Sequence, residues 1–224
     1  MTLASPTFSA TFSATGLSCV RGERGVFGGL SFDVSSGQVL YLTGANGSGK
    51  SSLLRVLAGL IRPADGTLTW NGTPISDTRD THRERVRYVG HHDAVKPVLT
   101  VAENLSFWIN LSVSEIEAEN DPVMNALDHF GLKTLADMPA RFLSAGQKRR
   151  LNLSRLIAAP APLWLLDEPT TAVDRAGIEA LDHALARHLG NGGMAIIATH
   201  DPLTADVVNL DVSDFPFAAD MDTV

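Results

Sequence analysis

Residues 44–51 read Gly44-Ala45-Asn46-Gly47-Ser48-Gly49-Lys50-Ser51, a complete match to the pattern GxxxxGK[ST]. The near-continuous apolar run Val39-Leu40-Tyr41-Leu42 leads into it. Leu53, Leu54, Leu57 and Leu60 then stripe the segment that follows at helical spacing. Strand, glycine loop and helix form the context in which such a loop grips phosphate. The glycines let the backbone approach closely, and the N–H groups of Asn46 to Ser51 are expected to point inward. Gly44, Ala45, Asn46, Gly47, Ser48, Gly49, Lys50, Ser51 and Ser52 are thus the expected ATP-binding residues. Lys50 brings a compact charge to the outer phosphates, and the Ser51 hydroxyl is a ligand for Mg²⁺.

Downstream, the apolar run Leu163-Trp164-Leu165-Leu166 ends in Asp167-Glu168. A phosphate loop alone says that a nucleotide is held. An Asp for the Mg²⁺ shell, followed at once by a Glu that can deprotonate a water, says that it is hydrolysed. An acidic pair that merely stabilises a helix dipole is the plainer alternative. Leu163 to Asp167 has the character of a strand buried on both faces. Ile178, Leu181, Leu185 and Leu189 stripe a helix, and Asn191-Gly192-Gly193 turns the chain into another strand, Met194 to Ala198. Strands alternating with helices predict an α/β fold with a parallel sheet. Ligands of such sheets sit at the carboxyl ends of the strands, where Gly44, Asp167 and His200 all fall.

The bulk properties set bounds. With 224 residues the chain makes one domain with room for a second small lobe, and it is long enough to bury a sizeable core. A net charge of −7 supplies no field for nucleic acid or anionic lipid. No Lys or Arg follows Arg187, whereas Asp201, Asp206, Asp211, Asp214, Asp220 and Asp222 do. That tail opposes a nucleic-acid partner and otherwise reads as a solvated acidic end. The single Cys19 excludes an internal disulfide and fits a reducing compartment. No run reaches the roughly 20 apolar residues that span a bilayer, and no basic leader precedes an apolar core at the N-terminus.

Residues 1–15, rich in Ser, Thr and Ala, read as a disordered extension, with order beginning near Leu17. Leu30 to Val34 alternates as a half-buried strand, and Ser35-Ser36-Gly37 turns the chain. The expected domain runs over 16–224, with a helical lobe inserted at approximately 92–158. Within that lobe Thr100 and Glu103 have capping-box spacing, and Asp121-Pro122 starts a helix that Gly131 ends.

Leu143-Ser144-Ala145-Gly146-Gln147 precedes the apolar stripe Leu151, Leu153, Leu156 and Ile157. On local physics Ser144 and Gln147 are an ordinary capping box. Set before an Asp-Glu strand in a chain with a phosphate loop, the stretch resembles the LSGGQ signature of ABC-type ATPases. The resemblance covers nearly all of residues 17–210. It extends to Thr171-Ala172-Val173-Asp174 as the D-loop and to His200 as the switch histidine. It implies a P-loop NTPase of the ABC nucleotide-binding type, with a parallel-sheet core lobe and a small helical lobe. It also implies Glu168, His200 and Lys50 as catalytic residues. In that family ATP is sandwiched between two chains, so Ser144, Gly146, Gln147 and Asp174 would contact the ATP of a second copy.

Three departures stand out. Arg21 to Arg24 occupy the place where the family carries an aromatic that stacks on adenine. Tyr88-Val89-Gly90-His91-His92 replaces the Gln of the loop joining the lobes, which makes His91 or His92 a candidate near the metal. Ala145 stands for the first signature glycine. Gly90-His91, Lys96, Leu99-Thr100, Glu103-Asn104-Leu105, Phe107 and the Ser144-Ala145-Gly146-Gln147 variant are similar to the ATP-binding subunits of bacterial cytochrome c maturation systems, or haem exporter ATPases. That similarity implies integral-membrane permease partners and peripheral attachment to the cytoplasmic face of the inner membrane. It implies no direct haem binding by the histidines, since the substrate path lies in the membrane partners. An exporter ATPase for lipid, drug or ion, and a soluble non-transport ABC ATPase, are the alternatives.

Overall fold

The computed structural model describes residues 10–111, 121–199 and 208–217. Its centre is a parallel sheet of β3 (Val39–Thr43), β6 (Val86–Val89), β7 (Leu163–Asp167), β8 (Met194–Ala198) and β9 (Val208–Asp211), in the order β6-β7-β8-β3-β9. Alternate residues of the middle strands serve two different cores. Leu40, Leu42, Leu163, Leu165 and Ile196 face one cluster with α1 (Lys50–Leu57). Tyr41, Trp164, Leu166, Ala195 and Ile197 face the other, with α5 (Ala145–Ala158) and α6 (Arg175–Gly190). Burial on both faces is why these strands read as unbroken apolar runs.

Over α1 lies a second, antiparallel sheet of β1 (Thr11–Arg21), β2 (Arg24–Ser35), β4 (Asp65–Trp70) and β5 (Thr73–Pro74), in the order β2-β1-β4-β5. Here the expected extension of residues 1–15 is corrected: Thr11 to Thr15 belong to β1. Thr11, Phe12, Ser13 and Ala14 pair with β2, and Phe12 to Thr15 pair with β4 on the other side. Phe12 and Ala14 are buried while Thr11 and Ser13 are only half-buried, a period-two pattern that the small polar composition concealed. Residues 1–9 lie outside the described residues. The helical stripe also stops earlier than expected. α1 ends at Leu57, and Leu60 is 64% exposed.

A third cluster is built by α3 (Val101–Leu111), α4 (Pro122–His129) and parts of α5, with Val101, Leu105, Leu127, Leu132 and Leu151 at its centre. Both local start signals operate. The Thr100 N–H donates to Glu103 Oε2 at 2.7 Å while the Glu103 N–H donates to Thr100 Oγ1 at 3.1 Å. Asp121 caps α4 ahead of Pro122. The C-terminal segment is more than a solvated acidic end. β9 adds to the edge of the parallel sheet, and the Gly28 N–H donates to Phe215 O at 3.1 Å.

α2 (Arg79–Glu84) is anchored through a buried histidine. Trp70 Nε1–H donates to His82 Nδ1 at 2.9 Å, so His82 Nε2 carries the proton and donates to Leu57 O at 2.9 Å. His188 stacks on Trp164 with ring centroids 3.9 Å apart and bonds Met194 O at 3.0 Å. Burial pushes both imidazoles below the ordinary value of 6.5. In this direction the unfolded chain binds protons that the folded chain refuses. The stabilisation is full above pH 6.5 and is lost as the pH falls from there through the depressed folded values. Denaturant midpoints are therefore expected to drop between pH 7.5 and pH 5, and a His82→Gln variant to show a shallower dependence. A midpoint flat across that range would contradict the assignment.

Candidate active site

The loop after β3 takes its shape from two glycines. Gly44 has φ +120°, and a Cβ there would sit 2.7 Å from Asp211 Oδ1 and from Ser213 Oγ. Gly49, the N-cap of α1, has φ +110°, and its Cβ would meet Val26 Cγ1 at 2.7 Å. Neither L side chains nor extra atoms fit, because β2 and the segment after β9 press on the loop from two sides. Ser213 Oγ accepts from the Ala45 N–H at 3.3 Å. Lys50 is 8% exposed, and its ammonium donates to Gly44 O at 2.6 Å and Ala45 O at 3.1 Å, aimed at the centre of the loop.

At the carboxyl end of β7, two strands away, Asp167 is 2% exposed. Its Oδ1 accepts from Ser51 Oγ at 2.9 Å, so the two oxygens expected to serve one hard cation already converge. The buried Ser48 hydroxyl has no partner among the described residues, which suits a site built to receive a further polar group. Tyr88, missed in the sequence, places its hydroxyl 3.5 Å from Asp167 Oδ2. Burial raises the Tyr88 pKa, the Asp167 charge adds to the rise and a hydrogen bond with Arg55 opposes it, so the phenol stays protonated and donates. Glu168 follows with φ +48°, a left-handed backbone that a non-glycine residue keeps only where its surroundings hold it. Its N–H donates to Ala198 O at 2.8 Å and its carbonyl accepts from Arg149 Nη2 at 2.7 Å.

A cavity of about 510 Å³ brings these groups together: Asn46, Gly47, Gly49, Lys50, Ser51, Ser52, Asp167 and Glu168 line it. So do Arg21, Arg24 and Val26 from the β1–β2 hairpin, and among the described residues no aromatic carbocycle does. His91 reaches this cavity. His92 lines only a neighbouring groove of about 450 Å³, which His91 also lines, so the first of the two candidates is the one that shares a cavity with Ser51 and Asp167. His200 lies outside the described residues.

Ser144 caps α5, accepting from the Gln147 N–H at 3.2 Å while its own N–H donates to Gln147 Oε1 at 2.8 Å. The capping box is thus real. In it the Ser144 hydroxyl acts as acceptor, and the residue is exposed. Gly146 packs against the D-loop, where a Cβ would lie 3.1 Å from Ala172 O. Asp174 caps α6 through the Gly177 N–H at 3.1 Å. None of Ser144, Gly146, Gln147 and Asp174 lines the Lys50 cavity. Arg149 is the main residue that sequence reasoning missed. One basic residue among Lys148, Arg149 and Arg150 carries no distinguishing signal in the sequence.

The glycine loop, Ser51, Asp167 and Glu168 gathered at the strand ends have the residue types and placement of a P-loop nucleotide site. The family model described as ABC transporter matches residues 27–171, and the chain belongs to that family. It is similar to the "Cytochrome c biogenesis ATP-binding export protein CcmA" of Paramagnetospirillum magneticum, with 58% identity over 191 residues, covering 85% of this chain and 88% of the relative. The protein of the same name from Rhodospirillum rubrum is 54% identical over 209 residues, covering 92% and 88%. Among solved structures, an "ATP binding subunit of ABC transporter" superposes with a TM-score of 0.80 at 25% identity, over 90% of this chain and 86% of the other. No described helix is long and apolar enough to cross a membrane.

Proposed function

We propose that the chain is the ATP-hydrolysing subunit of an ABC transporter complex at the inner membrane, acting in cytochrome c biogenesis through haem export or release of haem from its chaperone. The convergence of Ser51 and Asp167 beside Glu168 carries the chemical part of this reading. The relatives named CcmA support the biological part.

The triphosphate lies along residues 44–52, held by loop N–H groups and by Lys50. Ser51 and Asp167 would hold Mg²⁺, which would neutralise charge on the transferring phosphoryl group. Glu168 takes the proton as water attacks the γ-phosphorus, and the bond to the β–γ bridging oxygen breaks, releasing ADP and phosphate. His200 completes the catalytic set by resemblance. His91 is the polar residue of the connecting loop that faces this chemistry. Ser144, Gly146, Gln147 and Asp174 sit apart from the chain's own cavity, which suits a second copy that closes the site in trans.

The groove of about 450 Å³ is lined by Leu60, His91, His92, Trp108 and Leu111 among others, and Leu60 and Leu111 are 64% and 60% exposed. An apolar rim of this kind fits an integral-membrane permease segment, which would hold the chain at the cytoplasmic face. A Leu60→Asp/Leu111→Asp protein is expected to lose co-purification with membrane proteins and to fail to restore c-type cytochromes in a strain lacking the gene, while still binding ATP. Full restoration of c-type cytochromes in that strain would exclude this docking face. Normal c-type cytochromes in the strain lacking the gene would sink the biological reading.

A further inference from the structure

We infer that Arg149 is a positioning residue which fixes Glu168 for catalysis and ties it to the permease-facing groove. The inference rests on the reading of Glu168 as the water-activating base. Arg149 is 3% exposed. Its Nη2 donates to Asp167 O at 3.0 Å and Glu168 O at 2.7 Å, and its Nη1 donates to Gly90 O at 2.8 Å and Asp93 Oδ1 at 3.3 Å. One planar fork therefore spans the carbonyls of the two site carboxylates and the loop that carries His91. Only a guanidinium has the geometry to hold both pairs at once. Glu168 has a left-handed backbone that needs such restraint, and its direction sets where the carboxylate points.

The grip continues outward along α5. Asp93 Oδ1 also accepts from Asn152 Nδ2 at 3.4 Å, and Asn152 Oδ1 accepts from Arg155 Nη1 at 2.8 Å. The Arg155 guanidinium lies 3.5 Å over the ring of Trp108 in α3. Residues 149, 152 and 155 are spaced three apart and share one helix face. Trp108 and Arg155 form part of the groove wall, together with Gly90 and His91. Burial, aided by the neighbouring charge of Arg87, lowers the Arg155 pKa to about 10, so this end of the row stays cationic at neutral pH. A partner that shifts Trp108 or the 90–93 loop would thereby move the carbonyl of Glu168 through polar contacts made of this chain alone.

The test is a mutant cycle on the full-length chain co-expressed with its membrane partners, reading ATP turnover and KM. Arg149→Met is expected to lower kcat about 100-fold, the scale of a misplaced catalytic group, with KM for ATP within about twofold because the phosphate loop is untouched. Arg149→Lys, a single ammonium in place of the fork, should recover only part of that loss. In a Glu168→Gln background Arg149→Met should cost nothing further, since it acts through the group already removed. Thermal unfolding of each variant identifies any that fail to fold. Asp93→Asn, which weakens the Asp93 contacts with Arg149 and Asn152 and spares the carbonyls of Asp167 and Glu168, then serves as the second probe, expected to lower kcat at constant KM, with a wild-type kcat counting against the role. Wild-type kcat in Arg149→Met, or losses that multiply with those of Glu168→Gln, would overturn the positioning role. Wild-type turnover in Glu168→Gln alone would instead remove the reading of Glu168 as base.

Discussion

Glu168→Gln is expected to reduce ATP turnover by about 10²–10⁴-fold, the usual contribution of a positioned general base. Nucleotide affinity should be retained, because the phosphate loop, Lys50 and the Ser51–Asp167 pair are formed without the carboxylate. The amide keeps the shape of the side chain and removes its basicity. The γ-phosphate then survives, and the Ser144 end of a second copy has something to hold. Phosphate release measures the first effect, and the mass of the species in Mg-ATP measures the second. An unchanged rate would require another base, and a strictly monomeric mutant in Mg-ATP would count against the paired site.

Phe12→Ala should be the most destabilising single change in the N-terminal region. Phe12 is fully buried, its ring centroid lies 5.0 Å from that of Trp70, and it stacks on His82 at 5.9 Å. Truncating a buried Phe costs about 3–5 kcal/mol, equivalent to a fall in melting temperature of roughly 6–20 °C for a domain of this size. Were residues 11–15 a loose extension, the substitution would leave the melting temperature unchanged. Thermal denaturation followed by circular dichroism separates the two outcomes, provided the unfolding is reversible.

Much of the site was legible because its parts are local. The glycine loop, Asp167-Glu168 and the α5 start are each contiguous stretches, and residue type and spacing within them are what the proposed chemistry is read from. The capping box at Ser144 shows how two readings coexist: the same side chain starts α5 and stands exposed where the proposed function needs a hydroxyl. β1 was misread over its first five residues because Thr, Ser and Ala hid an alternation that only two flanking strands reveal. The C-terminal acidic segment was undervalued for a similar reason. Asp211 and Ser213 gain their place beside Gly44 from strand pairing, which composition does not report.

By itself, the amino-acid order determined the glycine loop and the Asp167-Glu168 pair at a strand end, since both depend on neighbours within a few residues. It also determined the parallel sheet, through apolar runs that must be buried on both sides. Only the folded chain decided which histidine of the His91–His92 pair faces the cavity, and which of three consecutive basic residues holds Glu168. These assignments depend on the direction in which side chains leave α5 and the loop after β6. Direction is set by packing against elements some 20 to 60 residues distant in sequence, such as the separations of 19 and 59 that Arg149 bridges.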